Sequence, residues 1–325
     1  MTEVTFADLG LGPNILKAVT EAGYTHPTPI QAEAIPHVIA GGDVTGVAQT
    51  GTGKTAAFVL PMIHRLARGR ARARMPRCLI LCPTRELAAQ VAEQFEKYGK
   101  YLKLSMALLI GGVSFKEQEA LLQRGVDVLI ATPGRLIDQF ERGKLLLMGV
   151  DYLIIDEADR MLDMGFIHDI RKILALLPAK RQNLMFSATF SDDIRKLAKG
   201  IVNNPVEVSV TPPNSTAERV EQWICPVDKK RKPALLAKLI EENGWHQVLV
   251  FSRTKHGANK LSRFLDERGI PSAPIHGNKS QNARTKALAD FKSGKIQALV
   301  ATDIAARGLD INQLPYVVNV DLPNV

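Results

Sequence analysis

Ala48, Gln49, Thr50, Gly51, Thr52, Gly53, Lys54 and Thr55 run in unbroken succession, with an apolar stretch before them and a second, Ala56 to Leu60, after. Strand, glycine-rich turn, lysine, threonine and helix in that order make a phosphate cradle. Gly51 and Gly53 let the backbone turn so that successive N–H groups converge on phosphate oxygens at a helix N-terminus. Lys54 then reaches the outer phosphates, and the Thr55 hydroxyl is a ligand for Mg²⁺. Ala48 stands where the strict pattern has glycine, a small departure. A second apolar run, Tyr152 to Ile155, delivers Asp156, Glu157, Ala158 and Asp159. Two adjacent carboxylates at a strand end suit metal-assisted phosphoryl chemistry: Asp156 supports the metal, and Glu157 orients and deprotonates water. A cradle of this kind calls for such a carboxylate at a neighbouring strand tip.

Positioning these residues requires a particular architecture. Short β-branched or aliphatic runs occupy 44–48, 78–82, 106–110, 126–131, 152–156 and 184–187, then 223–227, 248–252, 296–301 and 317–320. Longer amphipathic stretches separate most of them. In 85–98, Leu87, Val91 and Phe95 recur at spacing four, and 258–268 is similarly periodic. The pattern predicts an α/β protein with parallel sheets buried on both faces. Pro212 and Pro213, followed by small polar residues, interrupt both helix and strand. The expected domains are therefore 1–210 and 219–325, with a linker at 211–218.

The 325 residues suit two domains, and 46% hydrophobic with 23% charged is globular composition. No apolar run approaches the roughly 18 residues of a membrane span, and Met1 to Val4 does not open a secretory signal. Three cysteines cannot all pair, which excludes a disulfide scaffold and suggests a cytoplasmic setting. The seven histidines are scattered, so metal sites beyond Mg²⁺ are not expected. The net charge of +9 is concentrated: 51–100 and 251–300 each hold 10 basic and 3 acidic residues. Basic regions in both halves suggest one polyanion held by two domains, against the plainer reading of a soluble surface. The arginine-rich run 65–77 reads as a surface loop after a helix, either merely solvated or an auxiliary phosphate-binding arm.

Asp156-Glu157-Ala158-Asp159 spells the name of the DEAD-box family of ATP-dependent RNA helicases, and the chain resembles that family over nearly its whole length. Gly23 to Gln31 is similar to the family's Q motif, with Phe6 upstream. The resemblance implies that Gln31 reads the adenine edge and Tyr24 packs near its face, so the cofactors are ATP and Mg²⁺. Pro83-Thr84-Arg85, Gly111-Gly112 and Thr132-Pro133-Gly134-Arg135 resemble the RNA-contacting motifs of the first domain. Ser187 and Thr189, in Ser-Ala-Thr, resemble the motif coupling ATP to RNA, their hydroxyls serving Asp159. In the second half, Arg253 lies in a motif IV-like run; His276, Gly277, Gln281 and Arg284 resemble the next RNA-side element. Residues 301–310 resemble motif V, placing Thr302 on an RNA phosphate and Asp310 near the ribose. Residues 159–165, 227–232 and 276–281 look most like the bacterial RhlE-type branch.

The resemblance implies two RecA-like P-loop domains that close on RNA and locally part a duplex. The sequence stops at Val325, before the family's arginine-rich motif with its arginine finger, a group worth about 10³ to 10⁵ in rate. The expectation is thus an incomplete second domain and a chain that binds ATP but hydrolyses it poorly. A monomer acting on RNA with little sequence preference, alongside ribosome-assembly or RNA-decay proteins, is the implied setting. Rival readings are an ATP-gated RNA clamp without productive hydrolysis, a DNA translocase of the same superfamily and a P-loop kinase or small-molecule NTPase.

Overall fold

Apolar strands linked by amphipathic helices pair in parallel because each helix must cross back over the sheet. Every strand pair among the described residues is parallel. The computed structural model describes residues 3–49, 51–210, 221–306, 309, 311 and 313–321. The chain divides into two compact units, Met1–Ser215 and Thr216–Val325. The linker expected at 211–218 lies outside the described residues.

Unit 1 carries β1 (Val44–Val47), β2 (Cys78–Leu81), β3 (Met106–Leu109), β4 (Val128–Ala131), β5 (Tyr152–Ile155), β6 (Gln182–Ser187) and β7 (Val206–Ser209), ordered β3-β4-β2-β5-β6-β1-β7. Its helices are α1 (Pro13–Glu21), α2 (Pro29–Ile39), α3 (Lys54–Leu66), α4 (Arg85–Gly99), α5 (Phe115–Arg124), α6 (Pro133–Glu141), α7 (Ala158–Asp163), α8 (Ile167–Leu176) and α9 (Asp192–Lys199). Alternate residues of β2 serve opposite layers. Ile80 joins Phe58, Ile63 and Val91. Leu79 and Leu81 join Leu136, Ile170 and Ile173. The sheet is covered on both faces, which explains its unbroken apolar strands.

Unit 2 carries β8 (Val248–Phe251), β9 (Ser272–Ile275), β10 (Ala298–Ala301) and β11 (Tyr316–Asn319), ordered β11-β8-β10-β9, with α10 (Lys232–Glu242), α11 (Lys255–Asp266), α12 (Gln281–Lys292) and α13 (Asp303–Ala306). Its described residues thus hold four strands against seven in unit 1. Helices α10 and α11 cover one face, and Ala287 and Phe291 of α12 pack on the other.

Three features differ from expectation. Residues 223–227 form no strand; Trp223 and Ile224 are exposed at 56% and 84%, and Trp223 instead lies against the Trp245 ring. An apolar pattern without a partner strand makes no ladder. Conversely, β7 is a strand at the sheet edge that buries only Val208 of its four residues, too little apolar signal to read. Strand β9 contains Pro274 and also sits at an edge, the place where a missing N–H is tolerated. No helix among the described residues is long and apolar enough to cross a membrane.

Candidate active site and nucleic-acid interface

The turn after β1 uses its glycines as expected. Gly51 and Gly53 have φ of 85° and 82°, and Gly53 caps α3 in the left-handed conformation. A methyl on Gly53 would sit 2.8 Å from Thr28 Oγ1, so the bend also requires the missing side chain. Thr52 Oγ1 donates to Gln49 O at 2.7 Å, which tightens the turn. Ala48 is buried, its N–H donating to Ser187 O at 3.0 Å. Thr55 is partly exposed in the first turn of α3; Thr50 lies outside the described residues.

Lys54 is buried, and its Nζ meets Asp156 Oδ1 at 2.8 Å and Glu157 Oε1 at 3.8 Å. The Asp156 carboxylate does not come from an adjacent strand: β6 lies between β1 and β5. The reach of a lysine side chain spans that extra strand. Burial alone would drive the Lys54 ammonium toward its neutral form, but Asp156, Glu157 and Asp159 together hold its pKa above the ordinary value. Glu157 is pushed the other way. Burial raises its carboxyl pKa, Lys54 opposes this, and Asp156 adds to the rise. Its backbone is left-handed (φ 53°), an uncommon conformation for a residue with a Cβ and one that concentrates at functional sites. The Glu157 N–H donates to Asp156 Oδ1 at 2.9 Å, holding the two carboxylates in a fixed relation.

Several buried polar atoms here have no hydrogen-bond partner: Asp156 Oδ2, Asp159 Oδ1 and Ser187 Oγ. The expected bond from Ser187 to Asp159 is therefore not made. Ser187 instead pairs along the ladder with Val47, at the mouth of the cradle, and Thr189 is exposed. Unpaired buried acceptors mark a place prepared for a further charged or hydrogen-bonding group. The described residues contain no cluster of three or more His, Cys, Asp or Glu able to hold a metal. The unpartnered Asp156 oxygen, with the partly exposed Thr55 hydroxyl in the first turn of α3, fits a Mg²⁺ shared with phosphates rather than caged by protein.

Gln31 is 6% exposed, with Oε1 accepting from Thr28 N at 2.9 Å and Nε2 donating to Gly53 O at 3.0 Å. It braces the cradle; one donor and one lone pair of its amide stay available. Phe6 is buried in the core, and Tyr24 is half exposed beneath the Lys97 ammonium.

The remaining unit-1 residues gather beyond β3, β4 and β2, three adjacent strands. Pro83 and Thr84 are buried after β2, Thr84 capping α4 by accepting from Leu87 N at 3.2 Å. Arg85 lies against Gly111, where a methyl would meet its guanidinium at 3.4 Å, and Gly112 is exposed. Thr132 and Pro133 start α6, and Gly134 is exposed. Arg135 stacks 3.9 Å above the Phe115 ring, and burial lowers its pKa. The C-terminal edge of this sheet is thus divided: phosphate residues over β5-β6-β1, and backbone-and-arginine residues over β3-β4-β2.

In unit 2 the corresponding residues follow β8, β10 and β9, again neighbours. Arg253 is exposed, its N–H donating to Asp321 Oδ2 at 3.2 Å, and Gly277 is exposed. Thr302 and Arg284 are buried. His276 is buried; its Nε2 lies 3.0 Å from Asn259 Oδ1, and its Nδ1 has no partner. Burial lowers its pKa, helped by Lys279, Lys255 and Arg284. Gln281 starts α12, and Asp310 lies outside the described residues.

A family profile described as "DEAD/DEAH box helicase" matches residues 28–197, and one described as "Helicase conserved C-terminal domain" matches 231–325. The chain belongs to the DEAD-box helicase family. It is 43% identical to the ATP-dependent RNA helicase DeaD of Mycobacterium tuberculosis over 98% of this chain and 56% of that protein. Against DeaD of Escherichia coli K12 the identity is 40%, over 99% of this chain and 51% of that protein. The chain spans about half the length of these curated relatives. Saccharomyces cerevisiae Dbp5, solved with RNA and ADP BeF3, superposes with a TM-score of 0.87 at 31% identity, over 99% of this chain and 81% of that one. Two RecA-like parallel-sheet units are the shared architecture.

Two residues of this DEAD-box chain escaped the reading of its sequence. Arg160 Nη1 lies 3.3 Å from Glu157 Oε2, an ion pair whose angles fall short of a hydrogen bond. Its signal was available in the i,i+3 spacing, Glu157 preceding the helix that carries Arg160. Asn259 orients His276 from 17 residues away, a relation no local pattern carries.

Proposed function

We propose that this DEAD-box chain is an ATP-dependent RNA helicase that binds ATP-Mg²⁺ on unit 1 and remodels RNA. The observation that carries this reading is the buried Lys54 ammonium, 2.8 Å from an Asp156 whose second oxygen has no partner. The backbone N–H groups of residues 51–55 cradle the phosphates, Lys54 neutralises the outer ones, and Gln31 reads adenine beside the cradle it braces. Thr55 and Asp156 would hold Mg²⁺, which supplies neutralisation of the phosphate oxygens. Glu157, with its raised pKa and fixed backbone, accepts the proton of the attacking water. Arg85, the glycines 111, 112 and 134, and Arg135 provide charge and close backbone approach for an RNA strand. Thr302, His276 and Arg284 extend this in unit 2.

Dbp5, similar over nearly the whole of this chain, was solved with RNA and a nucleotide analogue, which supports RNA as the polyanion. Preference for RNA over DNA would come from 2′-hydroxyl contacts. The reading includes a cytoplasmic monomer and ribosome-assembly or RNA-decay proteins as partners. The runs 159–165, 227–232 and 276–281 favour a RhlE-type branch, while the relatives compared above carry the DeaD name.

The test is RNA-dependent phosphate release by wild type, Lys54→Ala and Glu157→Gln. Both variants should lose it, and equal rates in all three would reject the site. If wild type holds RNA equally with ATP and a non-hydrolysable analogue and releases no phosphate, the chain is an RNA clamp instead.

A further inference from the structure

Residues 67–77 join α3 to β2 and carry five arginines, and the phosphoryl site uses none of them. The arginines in and around this loop fall into two sets. Arg77 donates to Leu66 O at 3.1 Å and Arg68 O at 2.5 Å, and meets Asp127 Oδ1 at 3.3 Å. Arg74 donates to Gly143 O at 3.3 Å, and Arg65 to Ile39 O at 3.1 Å. The backbone is held as well: Ala71 N donates to Asp127 Oδ1 at 3.1 Å, Arg74 N to Leu122 O at 2.9 Å and Leu146 N to Arg74 O at 2.8 Å. A methyl on Gly125 would lie 2.7 Å from Arg72 O, so the loop backbone rests directly on the end of α5.

The second set points outward. Arg68, Arg70 and Arg72, with Arg124 beside them at the end of α5, are exposed and form no ion pair among the described residues. Asp127, the acid this loop's backbone uses, is already shared by Arg77, Ala71 N and Ser105. Solubility alone is served by interspersed charges of both signs, whereas like charges fixed together repel. A braced loop that holds three unpaired guanidinium groups, with a fourth beside it at the end of α5, is arranged to meet an anion.

Its place in the fold says which kind. Helix α3 runs 13 residues from Lys54 to Leu66, about 20 Å, and the loop starts at its far end. A nucleotide in the cradle therefore cannot reach these arginines. Arg68 also lines a cleft of about 460 Å³ with Arg65, His64 and Asn14, at the N-terminus of α1. Between the outward arginines of the loop stand Gly69, Ala71 and Ala73, none of them a large anchor. Phosphate-backbone contact needs only charge and a guanidinium fork.

We infer that Arg68, Arg70, Arg72 and Arg124 form a second RNA-backbone contact, on the opposite edge of the unit-1 sheet from the cradle, which takes a duplex flanking the strand under remodelling. This rests on RNA as the partner in the proposed function. The test substitutes all four, Arg68→Gln, Arg70→Gln, Arg72→Gln and Arg124→Gln, and measures binding of two RNAs over a salt series. One is a strand of about ten nucleotides; the other is that strand joined to a duplex of about twenty base pairs. The duplex-bearing RNA should bind about tenfold or more weakly, its salt slope shallower by about 3, with the short strand unchanged. The four-lysine variant should keep most of the salt slope, and an unchanged melting temperature establishes that the fold is intact. Unchanged binding of both RNAs overturns the proposal. So does equal weakening of both, which indicates a diffuse field. Loss of poly-glutamate binding with duplex binding intact would instead identify an acidic protein as partner. Failure of the helicase reading is separately visible, as phosphate release indifferent to Lys54→Ala and Glu157→Gln.

Discussion

Charge is handled in opposite ways at the two ends of the unit-1 strands. At the C-terminal tips, buried Lys54 lies within 4 Å of both Asp156 and Glu157, the pKa values of Lys54 and Glu157 are raised, and the Glu157 backbone is left-handed. At the other end, Arg68, Arg70 and Arg72 are exposed on a braced loop, with Arg124 exposed beside it at the end of α5. Buried charges couple strongly because little water screens them, so each substitution there propagates to its neighbours. Exposed charges act additively and fade beyond a Debye length of about 8 Å at physiological salt. The first arrangement suits chemistry on one phosphate group, and the second suits holding a long polyanion.

Substitutions at the buried end should produce the largest effects and should not behave alike. Glu157→Gln is expected to lower phosphate release about 10²–10⁴-fold. Its melting temperature should not fall, because burial and the adjacent Asp156 make the Glu157 charge costly to the fold. A clear loss of stability would mean the carboxylate is structural. Lys54→Ala should lower release about 10²–10³-fold. It should also cost about 3–5 kcal/mol in denaturant melts, since Asp156 is left buried without its cation. Adding Asp156→Asn should recover part of that stability; no recovery would show that the ion pair is not what the lysine contributes.

The pH dependence follows with signs. Lys54 has a raised pKa, so its stabilisation is present below 10.5 and lost only as pH rises through the higher folded value. Glu157 also has a raised pKa, so the acidic limb of the rate profile should lie above the ordinary 4.5, and Arg160→Ala should move it further up. Kinetics across pH in the two proteins would check both shifts. The smallest effect belongs to unit 2. His276 has a lowered pKa, so its neutral form stabilises the fold above 6.5, and that contribution is lost as pH falls through the folded value. A decline in melting temperature on acidification is expected, and His276→Asn should flatten it. An equal decline in that variant would assign the effect elsewhere.

Much of this was legible in the residues. The cradle from Ala48 to Thr55 could be read because glycine, lysine and threonine each meet a need that few other residues can. The central strands could be read because burial on both faces leaves an unbroken apolar run. The edge strands β7 and β9 could not, since an edge strand is half exposed and tolerates Pro274. Residues 223–227 misled for the converse reason: β-propensity describes what a residue suits, and pairing needs a partner.

Local chemistry is therefore what the chain's letters decided: the phosphate turn, the paired carboxylates, the alternation of strand and helix, and the family those motifs name. Tertiary structure decided which groups meet across sequence gaps. It put β6 between the cradle strand and the carboxylate strand, left Ser187 apart from Asp159, brought Arg160 to Glu157 and Asn259 to His276, and sorted the loop arginines into bracing and outward sets. Short-range patterns report what neighbouring residues favour, whereas the partner of a buried charge is chosen by the packing of elements far apart along the chain.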